Sequence, residues 1–454
     1  MNKMSHKRHV AVLAFPFGCH AKPVLNLVRK LAKASPNTHF SFFNTSKSNN
    51  LLFSVSKSEI LDNIKPYNVS DSVPTDHALP RNPLEAVDLF LEAAPENFKT
   101  CIEEAVADTN MQISCLITDG FLVLGSQMAE NLGVPWIPVW IPLPCTLSAH
   151  ICTDAIRHIY AIDVVDRQDK TLEAIPGLST MRIDDLPDEV LPSESLFSET
   201  LRRIGQVLPK SAAVVMNFYQ ELDPMFIEND LKSKLPKILN VGFLTLSLPL
   251  QPLPPSETDA SGCLSWLDAQ RASSVVYISF GTVGAPSRSE IVALAEALEA
   301  TGAAFLWSLG DRFKDALPSG FVERTQKHGK VVSWAPQTQV LGHSSIGVFV
   351  THCGCNSVYE SVSNGVPMIC RPLFGDHKMT ARMVEEVWGV GVKVEGGVFT
   401  KSGVIKSFER ILENEEGKKM REKARALREI VEEAAGPSGS APQDFTTLLD
   451  VISL

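Results

Sequence analysis

The stretch Trp334–His377, WAPQTQVLGHSSIGVFVTHCGCNSVYESVSNGVPMICRPLFGDH, contains a strand, a glycine-containing turn and a helix in direct succession. Residues Ile346–Thr351 are apolar and largely β-branched, which predicts a short buried strand. The turn HCGC (352–355) follows, and Asn356 and Ser357 stand where the next helix should begin. A strand that runs into a helix through such a turn is the repeating unit of α/β proteins with parallel sheets.

The predicted turn and helix start together form an anion site. Backbone N–H groups at the beginning of a helix lack partners within it, and the helix dipole favours negative charge there, most simply a phosphate. Glu360, one helical turn later, can reach sugar hydroxyls, and Trp334 offers a flat face for a nucleobase. Asp376 and His377 add a second polar pair. The stretch predicts a nucleotide or sugar-nucleotide site, with an ordinary strand–helix–strand unit as the alternative.

Composition and charge restrict the class of protein. The 454 residues suffice for two domains, each with its own core. A hydrophobic content of 44% with 21% charged residues is typical of a packed globular enzyme rather than a disordered chain. A formal net charge of −10 argues against a nucleic-acid partner, whose phosphates need a basic surface. An anionic ligand must then be bound by local donors.

The nine cysteines and the apolar runs indicate a cytoplasmic protein. The cysteines are scattered and odd in number, so reduced thiols are the simpler interpretation. His352, Cys353 and Cys355 lack a second Cys/His pair at a zinc spacing, so no metal site is predicted. The N-terminus does not resemble a signal peptide, and the prolines inside the uncharged run Asn131–Thr153 would break a membrane helix. We expect a monomer that does not insert into membranes.

Two loops of the first half carry a histidine and an aspartate. The strand predicted at Val10–Phe15 leads to His20, and Asp119 directly follows the strand predicted at Ile113–Thr118. Open α/β sheets place their sites at the carboxyl ends of the strands. If the loops converge, Asp119 can accept a hydrogen bond from one imidazole nitrogen and leave the other as a base. Taken singly, the two residues have simpler interpretations as a surface histidine and a helix cap.

Strands and helices alternate along both halves of the chain, which predicts an α/β fold with parallel sheets. A stretch rich in proline and serine, 247–262, separates the halves and lacks a periodic apolar pattern. The predicted domains are residues 1–246 and 263–436, with the nucleotide site in the second. Residues 437–454 are predicted to form a helix that packs back on the first domain. The ligand sites should face the cleft between the domains.

Motifs spread over nearly the whole chain resemble those of the plant family-1 glycosyltransferases, which share a secondary-product signature box. The matching segments are FPFGCH (15–20), TDG (118–120), SFGT (279–282), WAPQ (334–337), HCG (352–354), NS (356–357), Glu360, GVP (365–367) and GD (375–376). The resemblance implies a GT-B fold of two Rossmann-like domains, the first binding the acceptor and the second a UDP-sugar. It implies an inverting hexose transfer without a metal ion or cofactor, since the UDP-sugar is a co-substrate. His20 matches the general base, and Asp119 matches its partner carboxylate.

The resemblance also assigns roles to residues of the box. Trp334 matches the residue that stacks on uracil, Glu360 matches the ribose ligand, and Asp376 with His377 match the pair that binds the sugar hydroxyls. The diphosphate ligands are matched by Thr282, His352, Asn356 and Ser357. The whole set that matches the UDP-sugar site is Thr282, Trp334, Ala335, Gln337, His352, Gly354, Cys355, Asn356, Ser357, Glu360, Asp376 and His377.

Three residues depart from the pattern of this family. Cys355 stands where the family nearly always has tryptophan, and a thiol lacks the bulk of that side chain. Ile141 stands where many members have a threonine that contacts the sugar. His377 replaces the usual glutamine, an exchange that accompanies a preference for UDP-galactose over UDP-glucose in this family. The two sugars differ in the orientation of one hydroxyl, which one relocated donor can discriminate. We therefore predict galactose, with glucose as the alternative.

The closest resemblance is to the flavonoid 3-O-glycosyltransferases. It is carried by the segments FPFGCHAKP (15–23), HFSFFNT (39–45), MICRPLFGD (368–376) and GVFTKSG (397–403). These imply a flavonol or anthocyanidin whose 3-hydroxyl lies near His20. Aromatic residues near strand ends can line a flat apolar pocket, although they more often belong to the core. The residues predicted to bind the acceptor are Phe15, Phe17, His20, Phe121, His150 and Phe374, of which His150 has a helix-surface histidine as its alternative.

Two other classes of protein stay open on the sequence. A sugar-nucleotide-binding protein with weak activity is suggested by Cys355, but a pure binder has no use for His20 and Asp119. An NAD-type dehydrogenase would share the Rossmann-like architecture, yet no G-x-G-x-x-G follows the first strand. The predicted function is the transfer of a hexose, with galactose favoured, from a UDP-sugar to the 3-hydroxyl of a flavonol or anthocyanidin.

Overall fold

Two parallel sheets form the framework of the protein. A computed structural model describes residues 8–54, 61–72, 83–162, 171–223, 226–248, 250–255 and 259–453. The chain divides into two compact units. The first unit consists of Met1–Ser179, Asp188–Thr245 and Ala434–Leu454, and the second of Thr180–Pro187 and Leu246–Glu433.

The sheet of the first unit has seven parallel strands in the order β3-β2-β1-β4-β5-β6-β7. Its strands are β1 (Arg8–Leu13), β2 (Thr38–Thr45), β3 (Ile64–Val69), β4 (Cys115–Asp119), β5 (Trp136–Trp140), β6 (Val214–Met216) and β7 (Ile238–Asn240). The α-helices that precede the second sheet are α1 (Ala21–Ala34), α2 (Ser46–Phe53), α3 (Pro83–Thr109), α4 (Gly125–Leu132), α5 (Pro144–Ile151), α6 (Thr153–Ile162), α7 (Leu196–Arg202), α8 (Ile204–Val207) and α9 (Lys232–Lys234).

Burial on both faces explains the sequence of the central strands. In β1 the four residues 10–13 are fully buried, so this part of the strand is continuously apolar instead of alternating. Helix α1 covers this sheet with one apolar face that includes Val24, Val28 and Leu31. Each such fully buried side chain contributes about 1.5–3 kcal/mol through the hydrophobic effect. The strands predicted at Val10–Phe15 and Ile113–Thr118 are present as β1 and β4 with shifted ends. Strand β1 begins and ends two residues earlier, and β4 begins two residues later and includes Asp119 as its last residue.

The sheet of the second unit has six parallel strands in the order β10-β9-β8-β11-β12-β13. Its strands are β8 (Val275–Ser279), β9 (Ala304–Ser308), β10 (Gly329–Val332), β11 (Ile346–Thr351), β12 (Met368–Cys370) and β13 (Gly391–Lys393). The remaining α-helices are α10 (Cys263–Asp268), α11 (Arg288–Thr301), α12 (Phe321–Thr325), α13 (Gln337–Leu341), α14 (Cys355–Asn364), α15 (His377–Arg382), α16 (Lys401–Phe408), α17 (Glu415–Ala435) and α18 (Ser440–Ile452).

The strand and helix predicted in the stretch Trp334–His377 agree closely with the structure. Strand β11 has the predicted bounds, but helix α14 begins at Cys355, one residue before Asn356, because Gly354 takes the extended N-cap conformation. The run Asn131–Thr153 contains β5 and α5, as the prolines indicated. Within the described ranges, no helix combines the length and the apolar character that crossing a bilayer requires.

Two segments pack away from their neighbours in sequence. The last helix, α18, packs on β7, where Asp444 Oδ2 accepts a 2.6 Å hydrogen bond from the backbone N–H of Asn240. The segment Thr180–Pro187 packs with the second unit, and its Asp185 forms a 3.3 Å ion pair with Arg382 at the end of α15.

The order of the strands reverses at an equivalent place in each sheet. In the first sheet the reversal lies between β1, which leads to His20, and β4, which ends at Asp119. In the second it lies between β8 and β11, which lead to Thr282 and His352. Open parallel sheets bind ligands at this point, where loops from both sides diverge and leave a crevice.

Candidate functional site

A buried histidine–aspartate pair occupies the reversal point of the first sheet. His20 Nδ1 lies 2.9 Å from Asp119 Oδ2, and the side chains are 12% and 1% exposed. The other carboxylate oxygen, Oδ1, accepts a 2.9 Å hydrogen bond from the backbone N–H of Phe121. Both carboxylate oxygens of Asp119 therefore have a hydrogen-bond partner. The loops that carry His20 and Asp119 converge, as the sequence predicts.

The chain after Asp119 needs a residue without a side chain. A Cβ atom at Gly120 would lie 2.8 Å from a ring carbon of Trp140 and 3.2 Å from the Val139 carbonyl oxygen. Real Cβ atoms do not approach other atoms at 2.8 Å, so any larger residue would displace the strand end. Gly120 thus allows the close packing that holds Asp119 under His20.

The pair can act as an oriented base. When Asp119 accepts a hydrogen bond from the protonated Nδ1 of His20, the free lone pair of the neutral ring is on Nε2. A proton taken up at Nε2 produces an imidazolium that the buried carboxylate stabilises by a charge-assisted hydrogen bond. The arrangement suits the removal of a proton from a hydroxyl group of a bound molecule.

An aromatic cluster surrounds the His20 ring. The ring centroid of His20 lies 4.4 Å from that of Phe121 and 5.5 Å from that of Phe15, and Phe15 lies 5.3 Å from Phe17. The structure therefore brings together the acceptor residues predicted in the first unit. Two members were missed from the sequence, Phe90 and Phe197, whose rings contact Phe15 at 6.2 Å each.

His150 lies at the buried side of the same cluster. Its ring is 6.0 Å from Phe121 and 5.5 Å from Trp140, and the residue is only 2% exposed. The alternative of a surface histidine is therefore wrong. Burial lowers the pKa of His150 to about 3, so the ring is neutral at pH 7 and can exchange a hydrogen bond with a polar group of a ligand.

The reversal point of the second sheet is built around His352. A Cβ at Gly354 would lie 2.5 Å from His352 Nε2, and one at Gly281 would lie 2.9 Å from the same atom. Both glycines thus let backbone approach the imidazole. Gly354 also offers no capping side chain, so the N–H groups that begin α14, those of Asn356 and Ser357 among them, can bind an anion. Burial lowers the pKa of His352 to about 4.

A hydrogen-bond network joins three predicted ligands of the nucleotide. Gln337 Nε2 donates to Glu360 Oε2 at 2.7 Å and to Ser357 Oγ at 3.0 Å. Gln337 Oε1 accepts from the hydroxyl of Tyr277 at 3.2 Å, a buried residue of β8 that sequence reasoning missed. Trp334, just before this group, is 67% exposed and offers its ring to a ligand.

The second polar pair lies at the start of α15. Asp376 is the N-cap of this helix, and His377 Nδ1 accepts hydrogen bonds of 3.4 Å from the backbone N–H groups of Leu373 and Phe374. Burial lowers the pKa of His377 to about 3, so the neutral ring carries its proton on Nε2 and presents a donor there. The ring lies 5.0 Å from His352.

The remaining predicted residues occupy different positions in the second unit. Phe374, predicted to bind the acceptor, is half exposed and packs on His377 with 4.5 Å between the ring centroids. Cys355 is buried as the first residue of α14, Ala335 is buried beside Trp334, and Thr282 is exposed after β8. Within the described ranges, no group of three or more His, Cys, Asp or Glu side chains could hold a metal ion.

Acidification is expected to destabilise the folded protein through His150, His352 and His377. Their pKa values of about 3, about 4 and about 3 lie below that of an unfolded histidine. The unfolded chain therefore binds more protons than the folded chain below pH 6.5. For each ring, the free energy of unfolding falls by about 1.4 kcal/mol per pH unit until the pH reaches the folded pKa.

Thermal unfolding between pH 7.5 and 5.5 measures how steeply stability falls as the pH is lowered. His150→Gln should flatten this dependence and exposed His158→Ala should not, whereas equal slopes in both variants would contradict the assignment.

Comparison with known proteins matches most of the chain to one family. The family model described as UDP-glucoronosyl and UDP-glucosyl transferase matches residues 57–423. The chain is 48% identical to an anthocyanidin 3-O-glucosyltransferase of Vitis vinifera, over 100% of this chain and 99% of that protein. It is 48% identical to an anthocyanidin 3-O-galactosyltransferase of Actinidia chinensis var. chinensis, over 100% and 99%. The crystal structure of a UDP-glucose: anthocyanidin 3-O-glucosyltransferase in complex with UDP matches with a TM-score of 0.92 and 48% identity, over 99% of this chain and 100% of that one.

Proposed function

Because this chain belongs to the UDP-glucoronosyl and UDP-glucosyl transferase family and is a UDP-dependent hexosyltransferase, we propose that it transfers galactose from UDP-galactose to the 3-hydroxyl of a flavonol or anthocyanidin. The fold class is the predicted one, an α/β GT-B fold with two Rossmann-like domains. The observation that carries the proposal is the His20–Asp119 hydrogen bond beside a cluster of aromatic rings, in a chain similar along its whole length to anthocyanidin 3-O-glycosyltransferases.

The proposed reaction is a single displacement. His20 Nε2 takes the proton of the acceptor hydroxyl, the hydroxyl oxygen forms a bond to the anomeric carbon, and the bond from that carbon to UDP breaks. The α-linkage of the UDP-hexose becomes a β-linkage in the product. Asp119 stabilises the imidazolium, and the flat rings of Phe15 and Phe121 suit a planar phenolic acceptor.

Groups of the second unit are proposed to bind the donor. Trp334 stacks on uracil, Glu360 accepts from the ribose hydroxyls, and the N–H groups that begin α14 bind the diphosphate. These donors also stabilise the negative charge that develops on UDP as it leaves. The Gln337 amide supports the site because it holds Glu360 and Ser357 in position. The reaction is proposed to need neither a metal ion nor a further cofactor.

The preference for galactose rests on His377. Its Nε2–H is a single donor in a fixed tautomer, because the backbone occupies Nδ1. A glutamine at this place would offer both a donor and an acceptor. Galactose and glucose differ only in the orientation of one hydroxyl, so a change in the polar group opposite it can select between them.

We expect His377→Gln to shift the choice of donor toward UDP-glucose. The ratio of kcat/KM for UDP-galactose to that for UDP-glucose should exceed one in the wild type and fall about tenfold in the variant, which is within the range that one polar contact contributes. Initial rates with kaempferol or cyanidin and each UDP-hexose measure this ratio. A wild-type preference for UDP-glucose would refute the galactose assignment and leave the chain a flavonoid glucosyltransferase.

The second candidate is transfer of glucose from UDP-glucose to the same acceptors, an activity that the names of several relatives carry. The same assay separates the two functions. A sugar-nucleotide-binding protein with weak activity, the interpretation suggested by the small Cys355 side chain at the first position of α14, does not fit a hexosyltransferase. A cytoplasmic location and a monomeric state stay predictions, which cell fractionation and light scattering can test.

A further inference from the structure

A buried ion pair connects the strand before the sugar-binding pair to a helix that is distant in sequence. Arg371 directly follows β12, and Glu290 lies in the first turn of α11. Arg371 Nε donates to Glu290 Oε1 at 2.6 Å, and Nη2 donates to Oε2 at 3.0 Å. The side chains are 13% and 8% exposed. Such a bidentate contact fixes direction as well as distance.

The Glu290 carboxylate also accepts hydrogen bonds from Phe399 and Ser287, which lie on two further segments. Its Oε1 accepts a 3.0 Å hydrogen bond from the backbone N–H of Phe399, and its Oε2 accepts from the N–H and hydroxyl of Ser287 at 3.1 and 2.9 Å. Burial alone would raise the pKa of Glu290, but these hydrogen bonds and the one from Arg371 outweigh it and hold the pKa at about 2. The carboxylate is therefore ionised throughout the physiological range.

The loop 372–376 begins directly after this ion pair. The Arg371 backbone N–H donates to the Thr351 carbonyl of β11 at 2.9 Å, and its guanidinium also donates to the carbonyl of Pro372. Beyond that point the loop is half exposed at Phe374 and turns through Gly375 with φ +59°. At its other end it enters α15 at Asp376.

We propose that Arg371 and Glu290 are positioning residues that hold loop 372–376 so that Asp376 and His377 meet the hexose of the UDP-sugar. The inference rests on the proposed function, because it assigns the hexose to this pair. It adds that the affinity for the sugar is set by an ion pair that touches no part of the ligand. Trp334, Gln337 and Glu360 lie on other segments and should bind the UDP portion independently of it.

The test compares UDP with the whole UDP-hexose in the variants Glu290→Gln, Arg371→Lys and Arg371→Gln. Calorimetry without acceptor gives the affinities for UDP, UDP-galactose and UDP-glucose, and initial rates give kcat and KM. We expect UDP affinity within about twofold of wild type and UDP-galactose affinity about tenfold weaker, which is within the range that one hydrogen bond to the hexose contributes. The affinity of Arg371→Lys for UDP-galactose should lie between those of the wild type and Arg371→Gln, because lysine keeps the charge but loses the bidentate geometry.

The ion pair between Glu299 and Arg324 supplies a matched control. Glu299 lies on the same helix, α11, but the two side chains are 35% and 47% exposed. Glu299→Gln and Arg324→Lys should leave both affinities unchanged, as exposed ion pairs contribute little. Equal losses for UDP and UDP-galactose in the Glu290 and Arg371 variants would overturn the inference, and so would affinities like those of the controls.

The outcome for the wild type separates this inference from the proposed function. If the wild type does not bind UDP-hexoses, the proposed function itself fails. If it binds and transfers hexose while the variants behave like the controls, only the positioning role fails. Should Glu290→Gln not fold, as judged by thermal unfolding, the two Arg371 variants carry the same comparison.

Discussion

Replacing His20 by alanine is expected to lower kcat by about 10²–10⁴-fold, the usual contribution of a positioned general base. The variant loses the imidazole that is proposed to remove the proton from the acceptor hydroxyl. UDP affinity should remain unchanged, because the residues proposed to bind UDP lie in the second unit and His20 lies in the first. Initial rates with saturating donor and calorimetry with UDP measure the two quantities.

A histidine outside the cluster provides the control for this experiment. His158 lies on α6 and is exposed, so His158→Ala should transfer hexose at the wild-type rate. Turnover close to wild type in His20→Ala would remove His20 from the mechanism. A matching loss of UDP affinity would instead indicate that the substitution disturbs the fold.

Asp119→Asn is expected to lower kcat by a similar factor through the tautomer of His20. The Phe121 N–H needs an oxygen acceptor at 2.9 Å, which fixes the new amide with its oxygen toward Phe121 and its NH₂ toward His20 Nδ1. The imidazole must then accept at Nδ1 and carry its proton on Nε2, where it can no longer act as a base. The equivalent exchange in a serine-protease triad lowers kcat by about 10⁴-fold.

Asp119→Asn should affect turnover without affecting stability, because the two side chains have nearly the same shape. Asparagine keeps the size of Asp119 and the bond to Phe121, so the thermal unfolding midpoint should change little. Kinetics and unfolding on the same preparation are therefore compared. If Asp119→Asn retained wild-type turnover while His20→Ala lost it, the base would act without its carboxylate partner.

The sequence predicted the parts of the fold and site that are local. The apolar run 346–351 and the turn after it carry their own signals, so the sequence predicts the bounds of β11 and the start of α14 to within one residue. His20 and Asp119 can be paired because each lies at the carboxyl end of a predicted parallel strand, and such strands end at the same edge of a sheet. The α/β class follows from the alternation alone, whereas the GT-B fold is implied only by the resemblance.

What the sequence missed depends on contacts between distant segments. Tyr277 bonds to Gln337 across 60 positions, and nothing in the strand marks its hydroxyl as different from that of a core tyrosine. Phe197 lies on the helix α7 and contacts Phe15. In the sequence, its apolar side chain cannot be distinguished from that of a core residue. The ion pair between Arg371 and Glu290 joins residues 81 positions apart. Single residues of these types carry no local pattern that could have paired them.

The configuration of the first product shows whether the hexose is transferred in one inverting displacement assisted by His20. The protein is incubated with kaempferol and UDP-galactose, and the product is examined by mass spectrometry and by proton NMR of the anomeric position. We expect release of UDP and a β-linked 3-O-galactoside, because one base-assisted displacement inverts the α-linkage of the donor. An α-linked product, or no glycoside despite tight binding of UDP-galactose, would contradict this mechanism.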